Sequence, residues 1–355
     1  PSTYATSRVK PIIRTSDGGY LCSFNPYAGN IHGAYPVNWY LLKLDSLYNP
    51  TWKRNIYASS TSLPTGNNIL SYKNGWNSTI EKINNNGQII WTKTIGRGYP
   101  FEIEFNDQLL IGSTMRFVGF IAKQNPMAFY DYSKGIIVDI DTLGNLLNID
   151  SFSIGSNFIS IDRIVKDAIG NQYLLCGATI TKLSPFGAVV WSSGFNATYF
   201  PSFYDACVLA NGDVLACGGY NNPLVGTNSV CIMKINFLGN LSWLKTTMFP
   251  GFSNGIQPMY NGNFLVSALH AKYYGDSLKP FLYEIDLSGN VIWSKRYFYT
   301  KGISAPYYKS KNEYLLASYF NGPMIFKTDS LGNYGCLPQN YPFTFSVQAM
   351  GMNAY

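Results

Sequence analysis

Histidine is nearly missing from this chain, which holds only His32 and His270 among 355 residues. A metal site built on several imidazoles is thereby excluded, and a serine–histidine–acid site would have to use one of those two. Both fall in segments expected to connect strands, where a lone histidine is expected to be solvated. Charge is also scarce, at 13 % of residues. The excess of 26 Lys and Arg over 19 Asp and Glu sets a net charge of +7, but the basic residues are scattered, so the footprint of a nucleic-acid binder is missing. No apolar run approaches the roughly 20 residues that cross a bilayer, and residues 1–15 lack the basic-then-apolar pattern of a signal peptide. The expectation is no membrane span, with the numbering starting after processing or the protein being intracellular. None of the six cysteines (Cys22, Cys176, Cys207, Cys217, Cys231, Cys336) shows the paired close spacing of a zinc site. Neither a metal nor a cofactor is expected.

What is abundant points to strands and turns: 28 Tyr, 22 Phe and 33 Gly. One pattern recurs seven times, at 41–57, 80–95, 137–152, 180–195, 232–247, 282–297 and 325–336, and is plainest in LYEIDLSGNVIWSKRY (282–297). Each copy is a short apolar run, a turn with Gly usually at a fixed place, and a second run whose fourth residue after that place is usually Trp. The Gly column reads Tyr48, Gly87, Gly144, Gly187, Gly239, Gly289, Gly332 and the Trp column Trp52, Trp91, Asn148, Trp191, Trp243, Trp293, Cys336. A glycine permits the positive φ of a tight hairpin, so the column marks a turn between antiparallel strands. At Tyr48 the neighbouring Asn49 is expected to take the left-handed position. Upstream of each copy lies a second hairpin signal, such as SDGGYLCSF (16–24) and NGDVLACGG (211–219), so every repeat supplies four strands, A to D. Cys176 and Cys217 share one column of it, where a small buried side chain is expected.

The Trp-column spacings of 39, 57, 43, 52, 50 and 43 are those of propeller blades. The fold class expected is all-β: a seven-bladed β-propeller of four-stranded antiparallel blades over residues 1–336, each Trp wedged between blades, with the blade around 137–155 loosest. Residues 2–7 are expected to add the outer strand of the seventh blade and close the ring, since an open ring would expose two sheet edges. Residues 337–355 read as a tail or a linker to a further region.

Blade text of the DGGYLL type (here DGGYLC, 17–22), a KLDSLGN-type turn, Trp and SK resembles the secreted propeller-repeat proteins of Bacteroidota, many exported by the type IX route, and IFKTDSLGNYGC resembles their last blade. That resemblance covers about 9–336 and implies an exported protein at the cell surface, extracellular or outer-membrane associated. It speaks for architecture more than activity.

Catalytic constellations are sparse. Glu102 and Glu104 share one strand face, as a glycosidase pair does, but read as polar lining of an axial channel. Asp139, Asp141 and Asp150 have the acidic look of a calcium loop without its terminal Glu. Lys43, Lys82, Lys182, Lys234 and Lys327 recur on the C strands and read as exposed guards against edge pairing. Length varies most in the B–C connections Asn25–Asn38, Met115–Lys134, Tyr220–Ser229 and His270–Pro280, expected to be loops on one face. Their rings Tyr27, Tyr35, Phe129, Tyr130, Tyr132, Tyr220, Tyr273 and Tyr274 are the candidate binding residues, because tyrosine gives contact area at low entropy cost. The expected function is a non-catalytic binding or assembly module for a protein partner or a glycan. The alternatives are a glycan-active hydrolase or lyase and an intracellular scaffold.

Overall fold

The structure is a computed structural model and describes residues 12–24, 40–56, 59–63, 65–124, 130–152, 160–195, 201–222, 227–271, 279–297, 303–311, 313–319, 323–333, 339–340, 346–347 and 352–354. Every regular element among them is a strand. The first repeat forms β1 (Ile13–Arg14), β2 (Tyr20–Phe24), β3 (Tyr40–Leu44) and β4 (Pro50–Arg54). The second forms β5 (Ser59–Ser62), β6 (Asn67–Asn74), β7 (Asn77–Asn84) and β8 (Ile89–Ile95), and the third β9 (Phe101–Ile111), β10 (Thr114–Gln124), β11 (Tyr130–Asp141) and β12 (Leu146–Phe152). Then follow β13 (Arg163–Lys166), β14 (Gln172–Cys176), β15 (Thr179–Leu183) and β16 (Val189–Phe195). The fifth and sixth repeats comprise β17 (Pro201–Val208), β18 (Val214–Asn222), β19 (Thr227–Ile235), β20 (Leu241–Pro258), β21 (Phe264–His270), β22 (Lys279–Ile285) and β23 (Val291–Arg296). The last repeat holds β24 (Tyr307–Ser310), β25 (Glu313–Tyr319) and β26 (Pro323–Asp329), and the tail β27 (Gln339–Asn340), β28 (Ser346–Val347) and β29 (Met352–Ala354).

All pairing is antiparallel, but the expected seven separate four-stranded sheets are not what forms. Among the described residues five sheets have four strands or more and a sixth, β24–β26, has three. The fifth and sixth repeats share one nine-stranded sheet because β20 stays extended for 18 residues. Its first part pairs with β19 and its second part, from Gly251, with β21. The change of partner falls at Pro250-Gly251, a turn-type dipeptide through which the chain stays extended. The expected clasp by residues 2–7 lies outside the described residues.

The repeat text is legible as hydrogen bonds. Asp45 accepts the N–H groups of Leu47 (2.8 Å) and Asn49 (2.9 Å) on Oδ1 and the Asn49 amide on Oδ2 (3.1 Å), so Asp and Asn close the hairpin as a unit. Asp141 with Asn145, Asp286 with Asn290 and Asp329 with Asn333 repeat the arrangement. Within that turn Tyr48 itself, at φ 69°, takes the left-handed position that was expected of Asn49.

The Gly and Trp columns are one device. A Cβ on Gly289 would come within 2.8 Å of the Trp243 ring, and one on Gly332 within 2.7 Å of Trp293. Each tryptophan therefore lies flat on the turn of the following repeat, as Trp52 does on Gly87, Trp91 on Gly144 and Trp191 on Gly239. The indole N–H groups of Trp52 and Trp191 also donate to the carbonyls of Asn85 (2.8 Å) and Phe237 (3.1 Å) in that turn. The apolar core follows the same logic, in clusters each shared by two neighbouring repeats. Leu215, Cys217 and Ile232, for example, pack with Val266, Ala268 and Tyr283. One such cluster joins Ile12, Tyr20, Cys22 and Leu44 of the first repeat to Leu315 and Ala317 of the last.

Candidate binding surface

The first strands of neighbouring repeats lie side by side, β5 against β9, β9 against β13 and β13 against β17. Polar side chains stitch them together. The Arg163 guanidinium donates from Nε to Asp205 (2.7 Å) and from Nη1 to both oxygens of Asp107 (3.2 Å each). Asp107 also accepts the Ile164 N–H (2.9 Å) and Asp205 the Ile256 N–H (3.0 Å), so four successive repeats are tied through one charged set. Asn106 donates to the Ile161 carbonyl (3.0 Å) and Ser253 to that of Gly218 (3.0 Å). These groups are spent on one another and on backbone, which makes this face of the strands a fastening between repeats.

The residues that looked chemical in the sequence are fastened too. Glu102 is buried, with its carboxylate on Lys73, while Glu104 stands 3.8 Å from the same ammonium and is partly exposed. The two carboxylates thus share a cation instead of facing a substrate. His270, expected in solvent, is corrected to the buried end of β21, edge-on to Phe281 (5.0 Å) and Tyr283 (5.5 Å). Burial pushes its imidazole down to about 3 against a backbone hydrogen bond with Pro250, so it is neutral near pH 7. His32 lies outside the described residues.

Apart from Lys327, which is exposed, the lysine column is not an exposed guard. Lys43 is 2 % exposed and pairs with both oxygens of Asp17 (3.0 and 2.9 Å), Lys234 with Asp213 (3.1 Å) and Lys327 with Glu313 (2.8 Å). Lys82 donates to the Thr142 carbonyl (2.9 Å) and Lys182 sits 5.3 Å from the Tyr173 ring centroid. Where the column carries an acid, the partner changes sign or becomes neutral. Asp139 holds Arg116 in a fork (2.7 and 2.6 Å), and Glu284 accepts the Asn261 amide (2.8 Å). The acidic run at 139–150 is thereby accounted for: Asp139 on Arg116, Asp141 in its turn, Asp150 beside Asn148. Hydrogen bonds from Asn145 hold the Asp141 carboxyl below its ordinary value. Cys22, Cys176, Cys207, Cys217 and Cys231 are free thiols, and burial pushes all five upward, away from reactive thiolate.

Of the eight candidate rings, Tyr27, Tyr35, Phe129, Tyr273 and Tyr274 lie outside the described residues. Tyr130 and Tyr132 belong to strand β11, not to a loop, because Met115–Lys134 is mostly two long strands, β10 and β11, joined through 125–129. Tyr220 is on β18 and only 4 % exposed, packed with Phe203, Cys231 and Leu244 in the core between the fourth and fifth repeats, so its ring does not face solvent.

A surface feature that the sequence reading passed over lies at the opposite ends of the strands. In five repeats the residue before the Gly-column position is Leu or Phe, and Leu47, Leu143, Phe186, Leu238 and Leu331 are 76, 75, 98, 60 and 55 % exposed. Leu287 holds a similar place one residue earlier and is also exposed. The signal was present in the repeats as SLY, TLG, PFG, FLG and SLG, masked by the adjacent glycine. Further apolar side chains stand exposed on the outer strands: Ile89 and Ile90 on β8, Leu146, Leu147 and Ile149 on β12, Val189 and Val190 on β16. Single exposed apolar residues are ordinary, but the same residue type at the same corner of successive repeats forms a patterned apolar surface.

No protein-family model matches the chain, and no curated protein does. Solved structures do. The WD40 domain of Neurospora crassa Pan2 is similar with a TM-score of 0.54 and 8 % identity, over 93 % of this chain and 92 % of that one. The AfRom2 CNH domain is similar with a TM-score of 0.50 and 10 % identity, over 92 % of this chain and 95 % of that one. A Bacteroides caccae protein of unknown function shows 16 % identity over 74 % of this chain and 91 % of its own, with a TM-score of 0.48. At such identities the likeness speaks for fold alone, and with the antiparallel sheets described above it makes the chain an all-β propeller.

Proposed function

We propose that this chain is a non-catalytic binding module that engages a protein partner. The observation that carries the reading is the row of exposed Leu and Phe residues at the turn corners, Leu143, Phe186, Leu238 and Leu331 among them. A rigid scaffold that holds apolar side chains in water at repeated positions costs solubility, and covering them by a partner recovers that cost at about 25 cal/mol per Å². The rings Tyr27, Tyr35, Phe129, Tyr273 and Tyr274, outside the described residues, belong to the same proposal as further contacts toward protein or glycan. The repeat text supports an exported, surface-associated location of the kind found in Bacteroidota propeller-repeat proteins. Burial of Glu102 on Lys73 speaks against a glycan-cleaving pair.

The test is affinity capture from the surface-protein fraction of the source cells, comparing the native chain with a Leu143→Ser, Phe186→Ser, Leu238→Ser variant. The expected result is a discrete captured protein that the variant loses at an unchanged melting temperature. Equal capture by both chains overturns the assignment of the turn corners.

A further inference from the structure

The C-terminal residues run backward around the outside of the sheets. Gln339 and Asn340 pair antiparallel with Arg296 and Lys295 of β23, Ser346 and Val347 with Thr246 and Lys245 of β20, and Met352 to Ala354 with Phe195 to Ser193 of β16. The residues facing Lys295, Lys245 and Ser193 are Asn340, Val347 and Ala354, spaced by seven. Those three sheet positions each lie two residues beyond a tryptophan: Trp293, Trp243 and Trp191. Seven extended residues reach about 23 Å, so one heptad carries the segment from one outer strand to the next.

The equivalent position in the third repeat is Asp150 on β12, and in the second Lys93 on β8. Among the described residues neither strand has a partner on its outer side, and Leu146 to Ser151 are all exposed. An edge of this kind presents a row of unpaired backbone donors and acceptors. Exposed Ile89, Ile90, Leu147 and Ile149 add an apolar bed along it. We infer that the outer edges of β12 and β8 are a docking site for one extended polypeptide segment of a partner protein, added antiparallel in the way the tail is added to β16, β20 and β23. The segment carries two pairing residues seven apart, a basic one facing Asp150 and an acidic one facing Lys93. Main-chain pairing provides the attachment and the two charges its register. The inference rests on the binding-module reading and gives it a strand-shaped ligand.

The probe is a fluorescent synthetic peptide of residues 341–355 carrying Val347→Lys and Ala354→Glu, titrated with the full chain and followed by anisotropy. Saturable binding is expected, weakened at least about tenfold by the Asp150→Lys, Lys93→Glu double variant, as for loss of two facing charge pairs. Exchanging the peptide charges, Val347→Glu and Ala354→Lys, restores binding to that variant. N-methylation of the peptide at 346 and 347 removes backbone donors and abolishes binding. Absence of saturable binding overturns the inference, as does equal binding by the double variant. Binding that instead displaces the chain's own tail from β16 and β20 also overturns it. The turn-corner variants are read by partner capture, so a failure of either measurement is separable from the other.

Discussion

Two kinds of seam run between the repeats. Most are tryptophan seams, in which a ring from one outer strand lies on the turn glycine of the next repeat, as Trp243 lies on Gly289. Between the third and fourth repeats the ring is missing: Asn148 stands in the Trp column, and the nearest group to a Cβ on Gly187 is the Arg116 guanidinium at 4.0 Å. That seam keeps an apolar cluster, with Val118 and Ile137 against Ile164 and Leu174, and adds charge where the ring is absent. Arg116 forks onto Asp139 and reaches across to Gln172 (2.5 Å), and Arg163 binds Asp107 across the same boundary. One repeat geometry thus tolerates loss of the docking ring where the Arg116 ion pair stands in its place, and the two fastenings differ in sensitivity. Area burial is indifferent to pH and salt, whereas charges partly desolvated in pairs are not.

The comparison can be broken most severely from the apolar side. Trp243→Ala removes a partly buried ring and leaves a gap over Gly289, with an expected loss of about 3–4 kcal/mol in denaturant unfolding. A loss below about 1 kcal/mol would show that the ring merely covers the turn. On the charged side, Arg116→Met strips Asp139 of its partner, and about 2–3 kcal/mol is expected because a carboxylate is left buried and uncompensated. The same substitution should weaken the salt dependence of unfolding, leaving the share that the Arg163–Asp107 pair contributes. An unaltered salt dependence would count against charge as the fastening.

Acid sharpens the contrast from an unexpected place, the apolar sixth repeat. His270 stays neutral in the fold until about pH 3, whereas the unfolded imidazole takes up its proton below its ordinary 6.5. A depressed value contributes stability that is complete above 6.5 and is lost as pH falls toward 3, with up to about 2 kcal/mol gone at pH 5. Melting temperatures between pH 7 and 4 should fall less steeply in His270→Phe than in the native chain, and parallel slopes would sink the assignment.

The smallest effect is expected at Tyr48. This residue sits at φ 69°, stacks on Tyr20 at 5.4 Å and lies under the Lys309 ammonium at 5.0 Å. The Trp-column position of the last repeat is Cys336, so the first repeat carries a ring where every other repeat has glycine. Tyr48→Gly should relieve backbone strain of about 1–2 kcal/mol yet still destabilise by about 1 kcal/mol through lost ring packing. A stabilised variant would mean that the ring fills nothing.

Much of this was readable from local text. The hairpin turns were legible because Asp, Gly and Asn sit within five residues of one another and their hydrogen bonds close inside that window, as at Asp286 and Asn290. The candidate site was less legible. Tyr220 is an aromatic beside a turn-like NNP in sequence, and its burial comes from Phe203 and Leu244, which the chain text does not place beside it. His270 and Lys43 were misjudged for the same reason, their partners Phe281 and Asp17 being chosen by sheet pairing. Leu143 and Phe186 were overlooked because an apolar residue in a repeat suggests core until its exposure is known.

The repeat, its antiparallel hairpins and the spacing of its Gly and Trp columns follow from the chain text alone, because φ preference, turn hydrogen bonding and side-chain alternation act over a few residues. Tertiary contacts settled that Trp243 lies on Gly289, that β20 runs unbroken through two repeats, that the tail pairs with β23, β20 and β16, and that among the described residues the outer edges of β12 and β8 have no partner. Those outcomes depend on which edges meet across hundreds of residues, and an edge carries the same backbone donors and acceptors whatever the sequence written on it.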